Sequence, residues 1–259
     1  MTVTTAMIKE LREATGAGPL DCRKALQAHG GNLEQAADCL REKGLSKAAQ
    51  KVGRETQAGL VIVKTSGDCT CAVQIGCETD FVAFTDDLRT LAHGVADLVL
   101  ADAGLTDVEK LLTANVAPGK TTADMIQELV SRLGENITVR RIARYTSGGA
   151  SVVASYVHAG DIEGRYGPME GRLGVLVELG VSDVAAAGSN TLGALAHDLT
   201  LQIAANRPRY LASEDIPDDL LRQERETLIA QLIQENKPEH IRAKIVQGWI
   251  DGLPKKSVC

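Results

Sequence analysis

The sequence predicts an α+β chain in which an amino-terminal three-helix bundle is followed by two α+β core subdomains with mainly antiparallel sheets and a projecting antiparallel helical hairpin. Three observations predict it. Apolar residues recur at helical spacing in three short runs before residue 45. From Gly59 the period changes to that of strands, and the strand-then-helix pattern begins again at Ser151. Two consecutive amphipathic runs near the end are joined by Asn236-Lys237-Pro238. The boundaries that follow are 1–44 for the bundle, 45–57 for a helical linker rich in Lys, Ala and Arg, 58–146 and 147–212 for the subdomains, and 213–259 for the hairpin and carboxy-terminal end.

In the first segment Met7, Ile8, Leu11 and Ala14 share a helical face until Gly16-Ala17-Gly18, and Pro19 suits the first turn of a second helix through Ala25 and Leu26. Gly30-Gly31 ends that helix. Asn32 with Gln35 opens a third, whose Leu33, Ala36, Ala37 and Leu40 form one stripe before Gly44, expected to close it. Such a bundle resembles the ubiquitin-associated (UBA-like) type. It serves either as a docking module or as a cap on the larger domain. Leu60-Val61-Ile62-Val63 and Thr70 to Ile75, separated by Ser66-Gly67-Asp68, read as a hairpin. Helices from about Thr85 to Leu100 and from Thr122 to Leu133 follow, then a strand from Ile137 to Ala143. In the second subdomain, strands over Ser151 to Val157 and Leu173 to Leu179 flank a glycine-containing loop from Gly160 to Gly171, and Thr191 to Ala205 is helical. After the loop between Pro208 and Pro217, Leu220, Leu221, Leu228, Leu232 and Ile233 mark a long charged helix, and Pro238 opens another reaching Trp249. That hairpin is either an interaction arm or packed against its own sheet.

A chain of 259 residues with 44% hydrophobic content can bury a substantial core divided among two or three modules. Aromatics are only 3%, so Ala, Leu, Val and Ile must build that core, and Phe81, Phe84 and Trp249 carry more information than usual. A net charge of −6 without blocks of Lys and Arg argues against direct nucleic-acid or anionic-membrane binding and for a protein partner. No apolar run reaches membrane-spanning length, and Met1-Thr2-Val3 leads into a charged helix, so a cytoplasmic location is expected. The six cysteines lack a C-x-x-C pair and are expected to be reduced. Strand alternation explains Cys69 and Cys71 as same-face neighbours, and no histidine cluster completes a metal site with Cys77.

Catalytic chemistry is not expected. Ala117-Pro118-Gly119-Lys120-Thr121-Thr122 has the end of a phosphate-binding loop, but Ala114 stands where the first glycine is required and the preceding Leu111-Leu112 reads as helix. Gly16-Ala17-Gly18 lacks the third glycine and the strand of a dinucleotide site. The histidines at 29, 93, 158, 197 and 240 are widely spaced, with no nucleophile–base pattern. No cofactor is implied. Glu78-Thr79-Asp80-Phe81-Val82 is the segment to explain, because it sets a carboxylate beside one of two phenylalanines between a strand and a helix. Locally, Thr79 or Asp80 would be an N-cap and Phe81 would tuck into the nearby core.

Lys9-Glu10-Leu11-Arg12-Glu13-Ala14-Thr15-Gly16-Ala17-Gly18 with Asp21-Cys22-Arg23-Lys24-Ala25-Leu26 resembles the opening of the translation elongation factor Ts family. Three further matches follow in order: Cys77-Glu78-Thr79-Asp80-Phe81-Val82-Ala83, Gly134-Glu135-Asn136-Ile137 with Arg140-Arg141, and Gly171-Arg172-Leu173-Gly174-Val175-Leu176-Val177-Glu178. The resemblance covers about residues 4 to 250. It implies a non-enzymatic guanine-nucleotide exchange factor in protein biosynthesis, acting on elongation factor Tu, and is compatible with a homodimer giving a 2:2 complex. It places Thr79, Asp80, Phe81 and Val82 at the GTPase's Mg²⁺ site, with Phe81 as a wedge between GTPase helices. Arg12, Pro19, Leu20 and Arg23 match a bundle surface that contacts the nucleotide domain, Leu133-Gly134 lies beside the wedge, and His158 matches a contact from the second subdomain. Local readings stand beside these: Leu133 as core, Gly134 as a C-cap and Arg23 as solvated charge.

The chain departs from the family's pattern in four places. Phe84 replaces a usually basic residue, Pro19-Leu20 a commonly Met-rich pair, and the Asp161 to Met169 loop is longer. The family also continues past the hairpin to a further strand, whereas this chain stops at Cys259, which leaves completion of the second sheet open. Two other readings remain: a docking or chaperone module without exchange activity, and an enzyme using His158 or Cys77.

Overall fold

The computed structural model describes residues 3–160 and 166–257; Met1-Thr2, the 161–165 part of the long loop and Cys259 lie outside the described residues. Helix α1 (Thr5–Thr15) starts where the Thr4 hydroxyl accepts the Met7 N–H, and ends at left-handed Gly16, whose N–H donates to Arg12 O. Helix α2 (Pro19–Ala28) begins on proline, and α3 (Leu33–Ala49) begins where Asn32 Oδ1 accepts from Gln35 N at 3.0 Å. Leu11, Cys22, Ala25, Leu26, Ala36 and Leu40 close their shared core.

Gly44 does not close the third helix. It is buried, and α3 runs five residues past it to Ala49. A Cβ at Gly44 would stand 2.0 Å from Ser131 Oγ, so the glycine serves a close helix–helix approach rather than termination. The expected linker is consequently helical only as far as Ala49, with turns over 51–53.

Strands β1 (Ala58–Ser66) and β2 (Cys69–Cys77) pair in register from Ala58↔Cys77 to Ser66↔Cys69 around Gly67-Asp68. Next come α4 (Asp80–Ala83), α5 (Asp86–Ala101), α6 (Val108–Thr113), the short strands β3 (Asn115–Ala117) and β4 (Lys120–Thr121), α7 (Thr122–Leu133) and β5 (Ile137–Thr146). The helices α5 and α7 lay Leu88, Leu91, Val95, Val99, Ile126 and Leu129 against Leu60, Ile62, Val73 and Ile75 of the sheet. The Pro118-Gly119 segment is the β3–β4 turn, after which Thr121 and Asp124 form a reciprocal capping box at the start of α7. Leu111-Leu112, read as helix, lie in α6, whereas periodicity does not mark α4 or this small hairpin because each is too short to complete a repeat.

The remainder comprises β6 (Ser151–His158), β7 (Glu170–Gly171), β8 (Leu173–Gly180), α8 (Val184–Ala187), α9 (Asn190–Asn206), a 3₁₀ turn, α10 (Asp218–Gln234) and α11 (Glu239–Ser257). One sheet is the antiparallel β6–β8 pair, with α9 packed on it. The four-stranded sheet has the order β5-β2-β1-β7, so the end of the supposed 160–171 loop is a strand of the first subdomain's sheet, pairing Val61↔Gly171 and Ile62↔Glu170. Helices α10 and α11 are joined by residues 235–238, make their main contacts with each other, and bury Leu232 and Val246. Among the described residues no helix is long and apolar enough to cross a membrane.

Candidate partner-binding site

The turn between β2 and α5 is held by two carboxylates acting in opposite directions. Glu78 Oε1 accepts the Asn136 N–H at 2.7 Å, reaching from the 77–82 segment to the loop after α7. Glu135 reaches back from that loop: its carboxylate accepts the Thr79 N–H at 3.0 Å and the Thr79 hydroxyl at 2.6 Å. Arg54 lies 3.5 Å from Glu78 Oε2, and its carbonyl accepts from Asn136 Nδ2 at 2.7 Å. Bonds to ionised acceptors are stronger than neutral ones, so the two loops form one rigid unit. Glu78, Glu135 and Asn136 belong to the segments quoted above, but nothing in a linear pattern pairs residues 56 to 58 positions apart.

Thr79 occupies the N-cap position of α4 without capping by its side chain, because its hydroxyl donates to Glu135 instead. The single turn that follows turns Val82 and Ala83 into the core and leaves Asp80 and Phe81 outside. Phe81 is 82% exposed, so it is not tucked into the local core. Burying a phenylalanine side chain contributes about 1.5–3 kcal/mol, and this chain forgoes that at one of its two phenylalanines. Val82 anchors the turn from beneath. Phe84 points elsewhere: it is half-buried, with its ring 5.1 Å from that of Tyr166.

Leu133 is half-buried against the main core and Gly134, at φ 76°, caps α7 by donating its N–H to Val130 O, so both local readings hold. The same two residues lead directly into Glu135, which places them beside Thr79. On the bundle, Arg12, Pro19, Leu20 and Arg23 are all exposed, and Leu20 is 62% exposed. Pro19, Leu20 and Arg23 share one helical face. Beside the close approach of α3 to α7, a cleft of about 920 Å³ lies between the bundle and the helices α5 and α7. Across it, Arg41 lies 3.7 Å from Glu128. The Arg132 stem passes under Gly16 and its guanidinium meets Asp87 at 2.6 Å. His158 is exposed at the end of β6, with Nδ1 3.2 Å from Tyr156 Oη. Among the described residues no hydrogen bond or ion pair joins it to either of the other groups.

Glu78 has its pKa lowered, chiefly by the Asn136 N–H it accepts and further by the Arg54 charge, which together outweigh the opposing effect of desolvation. A lowered folded-state pKa makes the lock's contribution fully present above the ordinary carboxylate range and lost as pH falls through the lowered value. The Asn136 amide proton should therefore lose its exchange protection in acid, below the ordinary Glu range. Glu78→Gln should show weaker protection with that acid step removed. An unchanged step in the variant would assign the titration to another group.

Cys77 is buried, donates to Thr79 O at 3.1 Å, and is pushed up to about 12 by burial first and the Glu135 charge second. Burial likewise pushes Cys71 up to about 11. Thiols held protonated are poor nucleophiles. Iodoacetamide at neutral pH is expected to modify half-buried Cys39 before Cys22, Cys71 or Cys77, as read by peptide mass. Early labelling of Cys77 would contradict this. Among the described residues no group of three or more His, Cys, Asp or Glu is placed to hold a metal ion.

A family model described as "Elongation factor TS" matches residues 78–259, and one described as "UBA-like domain" matches residues 3–45. The chain is 41% identical over 259 residues to a protein named "Elongation factor Ts" from Clostridium perfringens (strain SM101 / Type A), covering 99% of this chain and 80% of that one. A protein of the same name from Aquifex aeolicus (strain VF5) is 40% identical over 266 residues, covering 100% and 86%. Another from Clostridioides difficile (strain 630) is 38% identical, covering 99% and 80%.

Proposed function

The chain belongs to the elongation factor Ts family, and on that premise we propose that it is a guanine-nucleotide exchange factor for elongation factor Tu. In this reading the bundle docks through Arg12, Pro19, Leu20 and Arg23 on the nucleotide domain, while Thr79, Asp80 and Phe81 reach the GTPase's Mg²⁺ site. Val82 seats that turn, Leu133-Gly134 flanks it, and His158 supplies a separate contact. The observation that carries the proposal is a phenylalanine left 82% exposed on a turn fixed by two carboxylates.

Mg²⁺ bridges nucleotide phosphates to a GTPase and neutralises their charge. Asp80 placed near the ion competes for its ligands or water, and the Phe81 ring shifts close-packed elements that move between discrete arrangements rather than yield gradually. Once the ion leaves, phosphate charge is uncompensated and nucleotide affinity falls. Linkage makes the effect reciprocal, so GDP and GTP each displace the factor and the factor turns over without making or breaking a bond. The test is release of labelled GDP from elongation factor Tu, expected to accelerate with substoichiometric amounts of this protein. Tight binding without acceleration would replace the proposal with a docking role.

A further inference from the structure

Residues Tyr166 to Gly171 form a strap that leaves the second subdomain and grips the first at three places. It adds β7 to the edge of β1, and Met169 O accepts the Val63 N–H at 3.0 Å. It inserts Glu170, whose side chain is 5% exposed, against α5, with Oε1 2.8 Å from His93 Nε2 and Oε2 3.3 Å from Arg89 Nε. The Gly167 N–H donates to the same carboxylate at 2.8 Å. It also lays the Tyr166 ring on Phe84 at 5.1 Å and an interplanar angle of 58°.

Phe84 is the residue that closes α4, and Thr85 caps α5 beyond it. A four-residue helix cannot hold its own shape, since one turn fixes several dihedrals for about one hydrogen bond. The exit direction of Phe81 is therefore set at the two ends of α4. Glu135 holds the first end through Thr79. The second end is held by Phe84 and the start of α5, which are the parts the strap grips. A buried carboxylate is costly unless fully paired, and an apolar residue would fill the same space without that demand. What Glu170 adds is direction: the His93 ring and the Arg89 guanidinium of α5 flank its two carboxylate oxygens and so fix where the strap, and with it Tyr166, must lie.

We propose that this strap is a second clamp on the wedge, with Tyr166 and Glu170 as positioning residues that act through Phe84 and α5 to aim Phe81. The proposal rests on the exchange reading above. It gives the aromatic at position 84 a role, because that ring is the one the strap engages.

The test measures GDP release from elongation factor Tu over a range of factor concentrations for Y166A, Y166F, E170Q, F81A and the Y166A/F81A double variant. Y166A and E170Q should lower the maximal rate about tenfold while shifting the half-saturating concentration by no more than about twofold. Y166F should match the wild type, because the ring and not the hydroxyl meets Phe84. In the F81A background Y166A should have no further effect, since there is no wedge left to aim. The same loss in both backgrounds, or a shift in half-saturation alone, would overturn the proposal. Amide exchange of residues 79–84 in the free protein gives a readout independent of the GTPase, and should be faster in Y166A and unchanged in Y166F. Unchanged protection in Y166A overturns the clamp even where exchange activity is normal; a wild type that fails to accelerate GDP release overturns the exchange reading and leaves this arm to decide the clamp.

Discussion

Phe81→Ala is expected to reduce the acceleration of GDP release about a hundredfold, the size expected when an aromatic anchor is removed from the centre of an interface. Its effect on stability should be within about 0.5 kcal/mol, because the ring is 82% exposed and its loss opens no cavity. Stopped-flow release of a fluorescent GDP, paired with a thermal unfolding curve of the free factor, measures both quantities. An Asp80→Asn variant should act in the same direction but more weakly, since it keeps the ring and removes only the charge directed at the ion. If F81A stimulates release like the wild type, the ring is not the wedge. If it is instead strongly destabilised, the ring has a packing role in solution, contrary to its exposure. The variant tests function cleanly because Val82, Ala83 and the Glu135–Thr79 bonds stay in place.

The parts of this fold legible in the sequence are those whose signal is local and repeated. Asn32 and Thr85 mark helix starts by side-chain chemistry that needs only three residues to read. The β1–β2 hairpin follows from alternation and a Gly-Asp turn. What failed was decided at a distance. Gly44 looks like a helix stop, and only the presence of Ser131 from α7 makes it a contact point instead. Glu170-Gly171 looks like the end of a loop, and becomes a strand because β1 offers it an edge. At the candidate site, Asp80 and Phe81 were identified by their chemistry and by resemblance, whereas the residues that hold them were not. Glu78 with Asn136 and Thr79 with Glu135 are contacts between remote segments. The local reading of Phe81 puts it in the core, and it fails because Val82 and Ala83 already fill the inward face of a one-turn helix.

Leu88→Ala should do the reverse of Phe81→Ala. Leu88 is 0% exposed in the first turn of α5, its N–H donates to the Thr85 hydroxyl, and its side chain belongs to the main core cluster. Truncating a buried leucine loses transfer free energy and leaves a cavity, costing about 2–5 kcal/mol. For a domain of this size that lowers the melting temperature by about 5–15 °C. The bundle has its own core around Leu11 and Leu26, so the chain need not unfold as one unit, and the drop should be followed by amide exchange in β1, β2 and α5 as well as by a global signal. Those amides should lose protection while those of α1 and α2 keep it. Well below the transition, L88A should still accelerate GDP release far more than F81A, because neither the Phe81 ring nor the Thr79–Glu135 bonds are altered. A cost under about 1 kcal/mol would mean that the core collapses around the gap without penalty. Loss of exchange activity as large as that of F81A at full folding would mean that packing beneath α5, and not only the clamps at the two ends of α4, decides where the ring points.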